Sequence, residues 1–260
     1  MKFSSYANTA LAAAKAGADI LLSHYNGKLN IEYKGETDPV TQADKNSQKA
    51  VIKVIKDVFP DHGVLAEEDG VKEIDKSYCW IIDPLDGTVN FVHGVPMFCV
   101  SIGLKYKDEV IAGVIYSPVL KEVFIAEKGR GAWLNGKKIE VSKNQDIIRS
   151  LAATGFPYYF RKDSKRVMKN FYNIAYEAQG VRRLGTAALD LAYVACGRFD
   201  FFWEEGLKPW DAAAGILIVK EAGGKISDYH GDNNPLFSGT LLAANNQTIH
   251  KKILDIINER

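Results

Sequence analysis

The chain has 260 residues, 47% of them hydrophobic and 25% charged, with a net charge of +1. That balance suits a folded soluble protein and offers nothing for electrostatic capture of nucleic acid or an acidic membrane. Cys79, Cys99 and Cys196 lie far apart among apolar neighbours with no CxxC pair, which argues against a zinc site and for reduced thiols and a cytoplasmic address.

The opening stretch, MKFSSYANTALAAAKAGADILLSHYNG, reads as an amphipathic helix over about residues 4–25. Lys15 and Asp19 interrupt any signal-type apolar core, and small and apolar residues recur at helical spacing. A second helix is expected from about Thr41 to Phe59, stopped by Pro60-Asp61-His62-Gly63. A short strand at Gly63-Val64-Leu65 follows, then strands at about 78–83, 97–106, 109–117 and 121–127, turning at Lys107-Asp108 and Leu120-Lys121. LNGKKI reads as a further hairpin. GRGAWLNG lacks the spacing and the strand-to-helix context of a dinucleotide fingerprint.

Past Ser150 the order alternates. Strands are expected near 150–154, 180–183, 198–204, 224–227 and 240–244, with helices at about 163–178, 186–196, 210–222 and 246–258. An α+β half therefore precedes an α/β half, with a seam near 143–150. Residues 1–145 and 146–260 are expected to be two halves of one compact unit.

Three stretches concentrate acid: Glu67-Glu68-Asp69, the turn in WIIDPLDGTVNF (80–91), and Trp210-Asp211 before an Ala-rich helix. Taken singly, 67–69 reads as a solvated turn and Asp211 as a helix cap. Asp83 and Asp86 are harder to dismiss, because Pro84, Gly87 and Thr88 are more than a simple turn needs. In DPVTQAD (38–44), Asp38 or Thr41 would cap the second helix, and Asp44, one turn on, is less easily explained by capping. Clustered carboxylates repel unless a cation joins them, and hard oxygen donors suit Mg²⁺, Mn²⁺ or Ca²⁺. The Leu85 carbonyl would add a neutral oxygen. His24, His62, His93, His230 and His250 show no ligand spacing and read as surface or satisfied loop residues.

The segments DPVTQAD (38–44), EE (67–68), WIIDPLDGTVNF (80–91), RRLGTAALDLAYVACGRFDFFWE (182–204) and WDAAAG (210–215), with EAGG (221–224) behind, resemble the inositol monophosphatase family in order and spacing. That family comprises Mg²⁺-dependent, lithium-sensitive phosphatases. One departure is Ala66, where the family usually has glycine. The resemblance implies a layered αβαβα sandwich of the inositol monophosphatase and fructose-1,6-bisphosphatase type, usually a homodimer. It implies two or three Mg²⁺, with Mn²⁺ as a substitute. Glu67, Asp83 and the Leu85 carbonyl would hold one ion; Asp83, Asp86 and Asp211 a second; a third would share Glu67. Thr88, Asp44 and Glu67 would form the catalytic group, Thr88 with Asp44 orienting and deprotonating a metal-activated water. The Gly87 and Thr88 amides would receive the phosphate.

Thr88-Val89-Asn90-Phe91 is similar to the inositol monophosphatase branch. The resemblance then makes Glu204 the acceptor of substrate hydroxyls, with Gly185, Thr186 and Ala187 lining the ring and Asp211 beside it. The expected reaction is hydrolysis of a small polyol phosphate, myo-inositol 1-phosphate first. Arg182, Arg183 and the basic-aromatic run FPYYFRKDSKR (156–166) keep fructose 1,6-bisphosphate as an alternative, against the plainer reading of strand-end, interface or solvated residues. A non-catalytic interaction protein on the same fold is the remaining alternative.

Overall fold

A computed structural model describes residues 3–27, 30–36, 38–68, 70–72 and 76–259. Thr37 and Asp69, quoted in the stretches above, lie outside them. Helix α1 (Ser5–His24) is capped by Ser4, whose hydroxyl accepts from the Ala7 amide at 3.4 Å. A short ladder follows, β1 (Ile31–Tyr33) antiparallel to β2 (Pro39–Thr41), and leads into α2 (Gln42–Val58). The sequence gives little sign of this ladder, since β1 is exposed throughout and Pro39 occupies a strand position.

Next come β3 (Gly63–Ala66), β4 (Gly70–Lys72), β5 (Tyr78–Asp86), the five-residue helix α3 (Thr88–Val92), β6 (Cys99–Tyr106), β7 (Glu109–Ser117), β8 (Glu122–Glu127), β9 (Ala132–Leu134) and β10 (Lys137–Ile139). They form one sheet in the order β10-β9-β8-β7-β6-β5-β3-β4, antiparallel except where β3 runs parallel to β5. Beyond residue 150 lie β11 (Leu151–Thr154), α4 (Lys165–Glu177), β12 (Gly180–Arg182), α5 (Ala187–Ala195), β13 (Phe201–Glu205), α6 (Pro209–Glu221), β14 (Lys225–Ser227), β15 (Thr240–Ala244) and α7 (Gln247–Asn258). The second sheet is ordered β12-β11-β13-β15-β14, parallel across β12, β11 and β13 and antiparallel from β13 onward.

Strand alternation assigns the layers. On β5, Trp80 and Ile82 pack under α1 and α2, while Cys79 and Ile81 face the opposite core with α5 and α6. On β13, Phe202 joins that middle core, and Phe201 and Trp203 point outward to α4 and α7. The stack is therefore α1/α2, first sheet, α5/α6, second sheet, α4/α7. Both sheets are covered on both faces, so their strands read as continuous apolar runs, which conceal the layering. Helix α6 comes very close to the first sheet: a Cβ on Gly103 would stand 2.8 Å from the Cβ of Ala213. This approach carries Asp211, at the start of α6, to the end of the sheet where β5 turns. No described helix is long and apolar enough to cross a membrane.

Candidate active site

The apolar residues of β5 run into a turn that breaks its pairing with β6 between Asp83 and Asp86. Asp83 Oδ1 accepts the Leu85 amide at 2.9 Å. The Pro84 carbonyl, without an intrastrand role, accepts from Ser47 Oγ of α2 at 2.9 Å. Gly87 closes the turn at φ 97°, and a Cβ there would lie 2.8 Å from the Met97 carbonyl oxygen, so both backbone conformation and space require glycine. Thr88 then opens α3.

Asp86 is drawn toward the second half of the chain. Its Oδ2 accepts from Thr186 Oγ1 at 2.6 Å and from the Ala188 amide at 2.7 Å, in the first turn of α5. The Thr186 hydroxyl also caps α5. Thr186, expected to line a substrate ring, therefore has its side chain committed to orienting Asp86.

Asp44 and Asp211 are held alike. Asp44, the third residue of α2, accepts the Thr41 amide and hydroxyl on Oδ2 at 2.8 and 2.6 Å. Capping, the less expected role for Asp44, does hold one of its oxygens, through a capping box. Its other oxygen, Oδ1, accepts from Thr88 Oγ1 at 3.1 Å. Asp211, the third residue of α6, accepts the Lys208 amide on Oδ2 at 2.7 Å. In both cases capping occupies one oxygen and leaves the other for different work. Thr88 Oγ1 also lies 3.0 Å from the Leu85 carbonyl. With one proton and two acceptors, the hydroxyl retains lone-pair capacity of its own.

Glu67 follows β3, and its amide donates to the Ile82 carbonyl at 3.2 Å. Ala66, where glycine was the usual residue, is an ordinary β3 residue paired with Ile82. Among the described residues, the non-glycine ones at positive φ are Asn26, Lys107, Lys121 and Asn135, so the alanine carries no left-handed strain. Lys34 lies 2.9 Å from Glu67 and 2.6 Å from Glu68, a contact that no motif signalled.

Electrostatics joins these groups. Desolvation, then Glu67, Asp86 and Asp211, push the Asp83 carboxyl well above the usual range. Asp211 is raised likewise by desolvation and by Asp86, Glu67 and Glu204. Desolvation lifts Asp86 to about 6 against its bonds from Thr186 and Ala188. Glu67 rises to about 7, desolvation outweighing Lys34. Among the described residues, Asp83, Asp86 and Asp211 have no cation partner within ion-pair distance. Each accepts a backbone amide instead, Asp86 from distant Ala188, and among the described residues no three acidic, histidine or cysteine side chains already stand at ligand spacing around one point. The expected convergence is therefore a neighbourhood of mutually repelling carboxyls. Oxygen-only donors that repel one another, with the Leu85 carbonyl between them, fit a hard divalent cation.

The substrate candidates lie on the far side of Asp86. Glu204 is on β13, half-buried rather than on a solvated loop, and is lifted to about 8 by desolvation and Asp86, opposed by Arg183. A Cβ on Gly185 would come within 3.1 Å of both Arg183 Nη1 and Asn90 Nδ2. Asn90 itself bridges the Met97 and Leu184 carbonyls at 2.7 Å each. Ala187 follows the cap of α5. Arg183 thus stands at the site and not at a remote strand end. Arg182 is exposed and bonds its neighbour's carbonyl. In the 156–166 run, Arg166 is paired with Glu205 at 3.0 Å and Arg161 lies 3.8 Å from Glu36. The histidines expected to be satisfied include His62, which accepts from Trp80 Nε1 at 3.1 Å and stacks on Tyr78.

Comparison with known proteins matches residues 3–260 to the family described as the inositol monophosphatase family. An inositol-1-monophosphatase of Mesorhizobium japonicum is 40% identical over 252 residues, covering 95% of this chain and 94% of that protein. A protein of Pseudomonas aeruginosa named Nus factor SuhB is 40% identical over 247 residues, covering 92% and 90%. The solved inositol monophosphatase structure from Anabaena superposes with a TM-score of 0.89 at 40% identity, covering 97% of this chain and 95% of that one.

Proposed function

Because the chain belongs to the inositol monophosphatase family and is a phosphatase, we propose that it hydrolyses a small polyol phosphate monoester, myo-inositol 1-phosphate to myo-inositol and phosphate. The observation that carries this reading is the mutual electrostatic contact of Glu67, Asp83, Asp86 and Asp211. Glu67, Asp83, Asp86, Asp211 and the Leu85 carbonyl are the groups to hold two or three Mg²⁺, or Mn²⁺ in their place. Bound magnesium supplies positive charge against the ester oxygens and acidifies the attacking water.

The chain's own groups do the rest. Thr88 positions the water through its free lone pair, with Glu67 on the same side. Asp44, raised by desolvation and fixed through Oδ2, is a stronger base than a solvated carboxylate and cannot swing away. The Gly87 and Thr88 amides, in the first turn of α3, offer donors to the phosphate. Glu204 accepts from the ring hydroxyls, with Gly185, Thr186 and Ala187 as the adjacent wall. Residues 1–145 supply most of the metal end and 146–260 the polyol end of one unit. Homodimer formation, a cytoplasmic location and lithium sensitivity belong to the same proposal.

Arg183 beside Glu204 favours one second reading, in which the guanidinium grips the other phosphate of fructose 1,6-bisphosphate. The Nus factor relative raises a non-catalytic role on the same fold, and the retained acid set supports catalysis ahead of it. A substrate panel with Mg²⁺ tests all three: inositol 1-phosphate, fructose 1,6-bisphosphate, histidinol phosphate and 3′-phosphoadenosine 5′-phosphate, with a chelator control. The expected result is the highest kcat/KM for inositol 1-phosphate. A preference for the bisphosphate that Arg183→Ala removes selects the second reading. No magnesium-dependent release from any ester refutes catalysis.

A further inference from the structure

Strands β11 and β13 are parallel neighbours paired as far as Thr154 with Trp203. One step further along, Gly155 lies beside Glu204. A Cβ built on Gly155 would stand 2.2 Å from Glu204 Oε1 and 2.3 Å from both Cδ and Oε2. The carboxyl group therefore occupies the space of the missing side chain. Gly155 is buried, and its φ lies outside the left-handed region, so its conformation would accept alanine. The three atoms nearest to such a Cβ all belong to the Glu204 carboxyl.

The surroundings leave Glu204 little choice of backbone position. The next residue, Glu205, is buried and accepts from Tyr159 Oη at 2.8 Å and Arg166 Nε at 3.0 Å. Thr154 Oγ1 donates to the Trp203 carbonyl at 2.7 Å, tying the two strand ends together. With the end of β13 fastened, the side-chain torsions are the freedom that remains to Glu204, and the recess over Gly155 selects among them.

We infer that Gly155 is a specificity-determining positioning residue: its lack of a side chain seats the Glu204 carboxylate where it accepts hydrogen bonds from two adjacent hydroxyls of a polyol phosphate. This rests on the reading above that Glu204 is the hydroxyl acceptor. A larger residue at 155 pushes the carboxylate out of the recess and costs the enzyme its preference for esters with vicinal hydroxyls.

The test compares Gly155→Ala, Glu204→Ala and the double variant on inositol 1-phosphate and on phenyl phosphate, which has no hydroxyls to recognise. The flexible end of Glu204 is what must move, so Gly155→Ala is expected to fold. It should lower the kcat/KM ratio of inositol 1-phosphate to phenyl phosphate about tenfold or more, mainly through KM, the effect of losing hydrogen bonds to a buried carboxyl. In the Glu204→Ala background the same change should have no further effect on the ratio. An unchanged ratio in Gly155→Ala, with a reduced ratio in Glu204→Ala, overturns the inference and leaves the reading of Glu204 intact. An unchanged ratio in Glu204→Ala overturns both. An equal loss on the two esters, or additive effects in the double variant, also contradicts it. If Gly155→Ala does not fold alone, removal of the carboxyl in the double variant must restore folding; failure to do so refutes the steric pairing.

Discussion

The turn at the end of β5 and the end of β13 both carry acids into the site, but they hold them differently. At β5 the hardware of Asp83 is local in the chain, the Leu85 amide and Gly87 at φ 97°, while Asp86 alone reaches across to Thr186 and Ala188. At β13 it is distant: Glu204 rests on Gly155, just past the end of β11, and Glu205 is fastened by Tyr159 and Arg166. The β5 acids repel one another without a cation beside them, whereas Glu204, though also repelled by Asp86, has the Arg183 guanidinium to oppose that. The turn sets Asp83 and Asp86 side by side, but Asp86 is also held from α5 by Thr186 and Ala188, so the metal end and the recognition end share one tertiary contact.

The largest effect should come from breaking the metal end. Asp86→Asn should lower kcat at least about 1,000-fold, since it removes charge that magnesium must meet. The metal-free variant should melt no lower than the parent, because one of several repelling anions is gone. A Tm well below the parent's would mean that Asp86 serves the fold first. Thr88→Val should reduce kcat by about 10²- to 10⁴-fold with little change in KM, and Thr88→Ser should recover much of it, as measured by steady-state kinetics.

Titration sharpens the same contrast. Folded-state values of Asp86 and Glu67 are raised to about 6 and about 7, above the ordinary 3.8 and 4.5. The folded state thus binds protons more tightly than the unfolded state at these positions. Their contribution to stability is full below the ordinary values and is lost as pH rises through about 6 to 7. With chelator, Tm should fall between pH 5 and 8, and excess Mg²⁺ should recover most of the loss. A flat profile with chelator would deny the repulsion. The smallest effect belongs to the recognition end: Glu205→Gln should cost about 1–2 kcal/mol in urea unfolding, by weakening the bonds to Tyr159 and Arg166.

The same division governs what the sequence can convey. The helices and most strands are legible because capping residues and apolar runs are local, and Thr41, Ser4 and Asn246 each stand where a helix starts. The β1–β2 ladder escapes notice because three exposed residues opposite a proline carry no strand pattern. Asp83 and Asp86 are legible as a pair because the chain itself sets them in one turn. Lys34 on Glu67 and Gly155 beneath Glu204 leave no comparable trace, and Arg183 is legible only as one of two candidate arginines. Each depends on chain segments brought together by folding, and TGFP alone reads as an ordinary strand exit. The layering is hidden for a related reason: strands buried on both faces lose the alternation that would reveal which face meets which helix.

The central claim is tested most directly by calorimetric titration of Mg²⁺ into the chelator-treated protein near pH 6.5, in two buffers of different ionisation enthalpy. Binding is expected to release protons, because partly protonated Glu67, Asp83, Asp86 and Asp211 give them up as the cation enters, and Asp211→Asn should weaken it strongly. Magnesium binding that releases no proton and ignores the loss of Asp211, or the absence of binding, would contradict the account.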